Sequence, residues 1–396
     1  MPNDRTLTGF GLHSDSQSVP WSNAGLQYRE LRSEVNEAIA RVLKAGNFVL
    51  SEDVLAFEEE FAAYCGVRYG ITVHSGTDAI ALALRALGIG EGDEVLLPDN
   101  SCASEPNAIM LSGATPVPVD IDEATYNMDP SRITNCFTPA TAAIHAVHAY
   151  GHPCDMASIN SLANKHHLQV IEDISLAPGA SIDGKKVGSF ADPAVASFGH
   201  GKILGAYGNG GGIVLTNSEE LASQVKTLSR YGFGKSDLSS IDRKLIPING
   251  KAWIVPGANS QMDAIQAAVL RVKLRYLDNW FIQREERAQW YRTRLADIDA
   301  VVPCIRDNVT SAHRGYIVRV KERNRVLASL NQHGIEARAF YLPPVHLQPA
   351  MSRFGYREGD FPVTEKVAKE LLLLPIYPEL REAQVDYVTT TLRKVL

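Results

Sequence analysis

Short apolar runs alternate with helical stretches along the first half of the chain, and this alternation constrains the fold more than any other feature. The apolar, often β-branched runs occupy residues 70–73, 94–97, 115–120, 142–147, 169–171 and 194–198. Segments with apolar residues at helical spacing include residues 77–87, 104–112 and 156–166. Strands interleaved with helices form a sheet that is covered on both faces. The sequence therefore predicts an α/β fold with a mainly parallel mixed sheet sandwiched by helices.

The remaining segments predict helices near the start of the chain and a smaller domain at its end. Helical spacing occurs at residues 31–44 and 54–64, and again across the long region 261–295. The tail combines predicted strands at 315–320 and 337–341 with predicted helices at 324–333, 363–372 and 382–394. We expect a loosely ordered arm over residues 1–20, a large domain over 21–284 and a small C-terminal α+β domain over 285–396.

Charge and cysteine content argue against several classes of protein. The chain has 396 residues and a formal net charge of −6, which indicates no basic surface for nucleic acid. Its five cysteines include no C-x-x-C pair, which is typical of a reducing compartment and argues against a zinc site. The first 17 residues lack the apolar core of a signal peptide, and no apolar run approaches membrane-spanning length. We expect a cytoplasmic protein without a metal, a membrane contact or a nucleic-acid partner.

A glycine-rich stretch over residues 197–212 has the sequence S-F-G-H-G-K-I-L-G-A-Y-G-N-G-G-G. So many glycines favour neither helix nor strand, and they allow the backbone to approach a bulky ligand closely. Lys202 lies within this stretch, five residues after Ser197. A lysine held away from bulk water can lose its proton and act as a nucleophile. Considered alone, the stretch is more typical of a surface turn with a solvated lysine.

Two further motifs lie where predicted strands end. Ser75, Gly76 and Thr77 begin a predicted helix, whose free amides and dipole suit a phosphate, although a serine there is usually only an N-cap. The motif V-I-E-D ends in Glu172 and Asp173, which face opposite sides because side chains alternate along a strand. An acid at this position either holds a cationic nitrogen of a ligand or caps the next helix.

Together these motifs predict a site for pyridoxal phosphate. The chain supplies a phosphate cradle at Gly76 and Thr77, a strand-end acid at Asp173 and a loop lysine at Lys202, in that order. The lysine amine can form the Schiff base, and the carboxylate can keep the pyridine nitrogen protonated so that the ring accepts electrons. A dinucleotide site is not indicated, because the sequence G-I-G-E-G from Gly88 follows a helix instead of joining a strand to a helix.

Several motifs in register carry a resemblance to a known family. They are H-S-G-T-D-A-I-A-L-A-L-R-A-L-G-I-G-E-G-D-E-V from His74, T-Y-N-M-D-P from Thr125, H-A-Y-G-H-P-C-D-M from His148, V-I-E-D from Val170, the glycine-rich stretch from Ser197, G-A-N-S-Q-M-D-A-I-Q-A-A from Gly257 and P-V-H-L-Q-P-A from Pro344. From about residue 19 onward the chain resembles the DegT/DnrJ/EryC1/StrS sugar aminotransferases, which use pyridoxal phosphate. The resemblance implies a fold type I architecture and amination of keto-sugars, with nucleotide-linked ones closest in character.

The resemblance also implies roles for the matching residues. Lys202 would be the catalytic residue, which binds the cofactor and shuttles protons between cofactor and substrate carbons. Asp173 would pair with the pyridine nitrogen. The residues expected to hold the phosphate are Gly76, Thr77, Ser197 and, from the neighbouring subunit, Asn259. The last of these implies a homodimer with shared active sites.

Three positions depart from the family pattern. Leu176 stands where the family usually has a glutamine near the cofactor's ring oxygen, and Cys102 stands where an aromatic ring usually stacks on the pyridine. Phe340 replaces a polar histidine near the sugar. Tyr341 and His346 complete the candidate substrate positions, although His346 is equally compatible with a loop histidine bonded to backbone.

Several cationic or phenolic side chains could also reach a carboxylate or phosphate of a substrate. They are Arg230, Tyr231, Arg314, Arg338 and Tyr341. For residues of these types, ordinary surface positions are the more typical interpretation.

The sequence therefore predicts an aminotransferase that moves an amino group from glutamate or glutamine to a keto-sugar or a keto-cyclitol, through the pyridoxamine phosphate form of the cofactor. Two alternatives stay open. Leu176 and Cys102 favour a lyase or dehydratase, but relatives that dehydrate sugars replace the lysine with histidine, whereas Lys202 is retained. A non-catalytic, cofactor-binding protein is disfavoured by the intact lysine, aspartate and phosphate motif.

Overall fold

The computed structural model describes residues 18–234, 252–302 and 304–396, so most of the predicted arm over residues 1–20 lies outside the described residues. The described strands are β1 (Tyr69–Val73), β2 (Glu94–Pro98), β3 (Thr115–Val119), β4 (Thr141–Val147), β5 (Gln169–Asp173), β6 (Ser181–Ile182), β7 (Lys185–Lys186), β8 (Ala194–Ser197), β9 (Gly212–Thr216), β10 (Phe233–Gly234), β11 (Ala252–Trp253), β12 (Val309–Thr310), β13 (Tyr316–Arg319) and β14 (Leu371–Leu374). The described α-helices are α1 (Ala24–Ala45), α2 (Glu52–Cys65), α3 (Gly76–Ala86), α4 (Ser104–Ser112), α5 (Pro130–Ile133), α6 (Met156–His166), α7 (Glu219–Leu228), α8 (Ala264–Leu274), α9 (Leu277–Arg294), α10 (Arg323–Gln332), α11 (Pro362–Glu370) and α12 (Glu382–Val395).

Seven strands form the central sheet, in the order β1-β9-β8-β5-β4-β2-β3. Strand β9 pairs antiparallel with β1 and β8, whereas the other neighbours pair in parallel. The sheet is therefore mainly parallel and mixed, which confirms the predicted fold class. The carboxyl ends of its parallel strands meet at one edge, where ligands bind on sheets of this kind.

Helices cover both faces of this sheet. Ala194 and Ala196 of β8 belong to the apolar cluster that α1, α2 and α8 form around Phe198. Val195, between them, belongs to a different cluster, which α3, α4 and α7 form. Since neighbouring side chains of a strand point to opposite faces, the two clusters lie on opposite sides of the sheet. The central strands are consequently buried on both faces, which agrees with their nearly continuous apolar sequences.

The helix predicted over residues 261–295 is two helices in the structure. Helix α8 ends in a turn where the amide of Tyr276 donates to the carbonyl oxygen of Lys273 at 3.0 Å, and α9 begins one residue later. The side chain of Lys273 is buried, and its Nζ donates to the carbonyl oxygen of Gly205 at 2.6 Å. The end of α8 is thus fixed to the glycine-rich stretch.

Two predicted elements of the tail also differ in the structure. The helix predicted over 363–372 ends at Glu370, because the apolar leucines of β14 pair with β13. The strand predicted over 337–341 forms a single bridge, between Arg338 and Leu373. The segment does not continue as a strand. The carbonyl oxygen of Phe340 instead accepts a hydrogen bond from the hydroxyl of Tyr150 at 2.7 Å.

The C-terminal elements share an apolar cluster of their own. Strands β13 and β14 form an antiparallel pair, and α9, α10 and α12 pack with them around Val318, Leu372 and Val388. Helix α9 continues through residues 284 and 285, where the small domain is predicted to begin. The domain boundaries therefore stay a prediction.

A helix must be both long and apolar to cross a bilayer. Within the described ranges, no helix is both long enough and apolar enough to do so. The five cysteines all lie in these ranges and are free thiols.

Candidate active site

The glycine-rich stretch joins β8 to β9 and lies directly against the start of α3. Gly76 begins that helix, and a Cβ built on it would lie 2.5 Å from the Cβ of Ser197. A Cβ on Gly212 would collide with the carbonyl oxygen of Ser75. Only glycine at both positions lets the strand ends and the helix start approach this closely.

The start of α3 leaves amide groups available for a ligand. Ser75 is the N-cap, since its Oγ accepts from the amide of Asp78 at 3.1 Å. Among the described residues, no acceptor binds the amides of Gly76 and Thr77, which the helix itself cannot satisfy. The N-cap interpretation therefore holds for Ser75, while phosphate binding by the two following amides stays a prediction. With the positive end of the helix dipole, these amides and Ser197 form a cradle for an anion.

Of the two carboxylates that end β5, Glu172 has a structural position. It is fully buried and accepts hydrogen bonds from the amides of Gly188, Phe190 and Ala191 at 2.7, 2.8 and 3.1 Å. His148 Nε2 lies 3.0 Å from its Oε1 atom. All its partners belong to the protein, so Glu172 fixes the chain between β7 and β8.

The other carboxylate, Asp173, belongs to a second buried group. It is 1% exposed, accepts from the amide of Ser175 at 2.8 Å and lies 3.4 Å from Nε2 of His145. Burial alone would raise the pKa of Asp173, but His145 and Ser175 outweigh it and hold the pKa below its usual value. Sequence reasoning missed His145, although a single histidine in the apolar strand A-A-I-H-A-V was a signal.

Lys202, Asp173 and Glu105 form one electrostatic cluster. Lys202 is half-buried in a turn, where its amide donates to the carbonyl oxygen of Gly199 at 3.0 Å. Glu105, in the first turn of α4, is 6% exposed. Its burial, and then the charge of Asp173, raise its pKa to about 7, while His145 and Lys202 oppose the rise. Glu105 was also missed, although an acid in the helix that follows β2 lies at the expected edge of the sheet.

The predicted substrate residues Phe340 and Tyr341 lie in an aromatic group next to this cluster. The Tyr341 ring stacks on Tyr150 at 6.1 Å and on Phe340 at 5.7 Å between ring centres. Burial raises the pKa of Tyr341 well above its usual value, and the charge of Glu105 adds to the rise. Half-buried Cys102 is also near Tyr341 and contributes to the rise of its pKa. The hydroxyl of Tyr341 therefore stays protonated beside Glu105.

His346, which the sequence analysis predicts for the substrate mouth, is buried in the structure. Its ring is 1% exposed, with Nδ1 2.7 Å from Asp99 Oδ2 and Nε2 3.2 Å from Glu365 Oε1. Burial lowers the pKa of His346, but the two carboxylates outweigh burial and raise it. Both ring nitrogens thus face carboxylates of the protein, which gives His346 a structural position.

The two remaining predicted residues have different surroundings. Leu176 is 8% exposed and follows β5, three residues after Asp173. Asn259 is exposed on the chain, and its neighbour Ser260 donates to Asp78 of α3 at 2.5 Å. The structure therefore places Asn259 near the start of α3 and leaves its side chain accessible.

The arrangement fits pyridoxal phosphate. The cradle at α3 suits its phosphate, and the buried, ionised Asp173 suits its pyridinium nitrogen. Nine buried side-chain polar atoms of the described residues have no hydrogen-bond partner, and Ser101 Oγ and His145 Nδ1 are among them. Such atoms in a protein interior are usually paired, so they favour a ligand with polar groups.

Comparison with known proteins identifies the family. The model of the DegT/DnrJ/EryC1/StrS aminotransferase family matches residues 29–393. The chain belongs to this family. It is a pyridoxal-phosphate-dependent aminotransferase, which confirms the enzyme class and the cofactor predicted from the sequence.

Relatives match over nearly the whole chain. The erythromycin biosynthesis sensory transduction protein EryC1 of Saccharopolyspora erythraea is 39% identical, over 95% of this chain and 99% of its own. The dTDP-3-amino-3,4,6-trideoxy-α-D-glucose transaminase of Streptomyces venezuelae is 37% identical, over 96% of this chain and 97% of its own. The crystal structure of NtdA from Bacillus subtilis, with bound cofactor PMP, is 30% identical with a TM-score of 0.87, over 97% of this chain and 86% of that one.

Replacing Glu105 by glutamine should change how stability depends on pH. In the folded protein its pKa is about 7, against an ordinary value of 4.5. Between these pH values the folded state holds a proton that the unfolded state has lost, so this group's contribution to stability falls as pH rises. Glutamine does not ionise, so Glu105→Gln should gain up to about 3 kcal/mol relative to the wild type between about pH 5 and 8.

Urea unfolding of the cofactor-free protein at both pH values measures this difference. The exposed Glu220 offers a matched control, and Glu220→Gln should follow the wild type. A Glu105→Gln difference that stays constant with pH would contradict the raised pKa.

Proposed function

We propose that the enzyme transfers an amino group from glutamate or glutamine to a keto-sugar, nucleotide-linked in the first place, or to a keto-cyclitol. One observation carries the proposal. The charges of Lys202 and Asp173 both shift the pKa of buried Glu105, at the edge of the sheet where the α3 cradle lies. The relative from Streptomyces venezuelae, a transaminase of a dTDP-linked amino sugar, supports the acceptor class. The acceptor would lie beside Phe340 and Tyr341.

The chain offers separate groups for each part of the cofactor. The amides of Gly76 and Thr77 and the hydroxyl of Ser197 would hold the phosphate. Asp173 would bind the pyridine nitrogen, and the nearby His145 would orient its carboxylate. When bound, pyridoxal phosphate supplies a carbonyl that carries the amino group and a ring that accepts electrons.

Lys202 is the proton carrier in this proposal. Its Nζ would hold the cofactor and then move a proton between the carbon atoms of the reacting substrate. Beside it, Glu105, whose pKa is raised to about 7, is partly protonated at neutral pH, and the hydroxyl of Tyr341 is protonated. Burial of both groups excludes water from that side of the site.

A homodimer and a cytoplasmic location complete the proposal. Asn259 is accessible on the single chain, as expected of a residue that contributes to the site of the other subunit. The free thiols of all five cysteines support a reducing compartment.

Amino transfer is tested by incubating the holoenzyme with L-glutamate and following the loss of cofactor absorbance and the formation of 2-oxoglutarate. The wild type should release one 2-oxoglutarate per active site without an acceptor, and continue only when a keto-sugar is added. Lys202→Ala should release none, whereas the exposed Lys44→Ala should equal the wild type. Elimination products without 2-oxoglutarate would support a lyase and contradict the proposal.

Replacing the two carboxylates of β5 should have different effects, chiefly on activity for Asp173 and on stability for Glu172. Asp173→Asn should lower amino transfer about 100-fold or more, because the pyridine nitrogen loses its counter-ion. It should cost less stability than the change at Glu172, because one backbone amide, that of Ser175, loses a charged acceptor. Glu172→Gln should lower the free energy of unfolding by about 3 kcal/mol, because its buried amide partners lose a charged acceptor. Urea unfolding and 2-oxoglutarate formation per bound cofactor measure the two effects. A Glu172→Gln variant with full stability but no activity would contradict the assignment.

Shared sites predict complementation between two inactive variants. Lys202→Ala and Asn259→Asp subunits should each be inactive alone, the second because its carboxylate repels the phosphate in the partner's site. A hybrid dimer contains one intact site, so random mixing should restore about a quarter of wild-type activity. Co-expression with different affinity tags measures this recovery. Mixed dimers without activity, or a monomeric wild type, would contradict shared sites.

A further inference from the structure

Lys273 extends from the last turn of α8 to the turn that carries Lys202. Its Nζ donates to the carbonyl oxygen of Gly205 at 2.6 Å and lies 4.3 Å from the centre of the Tyr207 ring. The side chain of Lys273 is 2% exposed, and Gly205 is buried as well. Among the described residues, no other donor binds the Gly205 carbonyl oxygen. A buried carbonyl group without a donor is costly, so this hydrogen bond fixes the position of Gly205.

The backbone of Gly205 packs directly against that of Lys202. A Cβ built on Gly205 would lie 3.0 Å from the carbonyl oxygen of Lys202 and 3.1 Å from that of Gly199. The amide of Lys202 donates to the Gly199 carbonyl oxygen at 3.0 Å, and the amide of Ala206 closes the segment by donating to Phe198 at 2.9 Å. A displacement of Gly205 therefore also displaces the backbone of Lys202.

Burial makes the charge of Lys273 sensitive to pH. It lowers the pKa of the amine to about 8, and the charge of Glu379 opposes the fall. The amine is therefore mostly charged at neutral pH and loses its charge as the pH rises through about 8. A charged donor binds a carbonyl oxygen more strongly than a neutral one, so the hydrogen bond to Gly205 weakens over the same range.

Lys202 and Lys273 line one small cavity. Its volume is about 50 Å³, a few times the ~10–15 Å³ that one water molecule needs. The other charged or titratable side chains that line it belong to His200, Arg284, Arg314, Tyr377 and Glu379. An effect of pH on the turn is therefore assigned by substituting Lys273, and not from the wild-type profile alone.

We propose that Lys273 is a positioning residue for Lys202. Its buried amine holds the carbonyl oxygen of Gly205 and so keeps the Lys202 Nζ where the cofactor carbonyl binds. The inference rests on the proposed role of Lys202. The amides of Gly76 and Thr77 belong to α3, outside this turn, so losing the hydrogen bond should slow the reaction with Lys202 without weakening phosphate binding. The competing interpretation is a hydrogen bond that only stabilises the fold.

Two forms of the cofactor separate these interpretations. Pyridoxal phosphate has a carbonyl group that Lys202 can bind, whereas pyridoxamine phosphate has the same ring and phosphate but no carbonyl group. The full-length protein is freed of cofactor and reloaded with each. Lys273→Met should bind pyridoxal phosphate covalently about 10-fold more slowly, as followed by absorbance and by borohydride trapping on Lys202. Its Kd for pyridoxamine phosphate, from calorimetric titration, should stay within about twofold of the wild type.

A conservative variant and a matched control complete the experiment. Lys273→Arg keeps a charged donor, and the adjoining cavity leaves room for the larger side chain, so it should restore most of the rate. Its rate relative to the wild type should rise between about pH 7 and 9, because the wild type loses its charged donor and arginine does not. Lys165→Met, which changes an exposed lysine in the last turn of α6, should equal the wild type.

Three results would overturn the proposal. They are an unchanged rate for Lys273→Met, equal losses of rate and of pyridoxamine phosphate affinity, and a ratio of Lys273→Arg to wild type that does not change with pH. A wild type that binds the cofactor through another lysine would overturn the proposed role of Lys202, and this inference with it. Normal rates on Lys202 in every variant would overturn only the inference.

Discussion

The site depends on the end of β5, where two adjacent carboxylates are buried in opposite directions. Glu172 receives three backbone amides and His148, and so fixes the segment that leads into β8. Asp173 is buried beside His145, and its charge and that of Lys202, which follows β8, both act on Glu105. The period of two residues along a strand enforces this division. Neither acid can take the other's place without turning the strand.

Close backbone approach is the second requirement, and it explains the glycines. Gly76 and Gly212 bring the start of α3 against Ser197, so an anion cradle forms at the same sheet edge as Asp173. The partners of Asp173 lower its pKa, whereas burial raises the pKa of Glu105 to about 7, so that Glu105 is partly protonated at neutral pH. The site thus offers the Asp173 carboxylate to a cationic nitrogen and the amides at the start of α3 to an anion.

Local pattern predicted the sheet, the strand-end acids and the glycine-rich turn, because each depends on residues close in sequence. It did not predict which distant side chains surround them. Glu105 and His145 reach Asp173 only through the order of the strands, and His346 is buried by Asp99 and Glu365, which lie far away in sequence. Segment 337–341 does not form the predicted strand for the same reason. The carbonyl oxygen of Phe340 is bonded to the distant Tyr150 hydroxyl and not to a neighbouring strand.

The central claim is that the ε-amine of Lys202 reaches a cofactor carbonyl at this edge of the sheet. Borohydride reduction of the holoenzyme, followed by proteolysis and mass mapping, tests it most directly, because reduction makes the bond between amine and cofactor permanent. The account predicts one modified peptide, with the cofactor mass on Lys202. Modification of another lysine, such as the buried Lys273, or no modification of a cofactor-loaded protein, would contradict it.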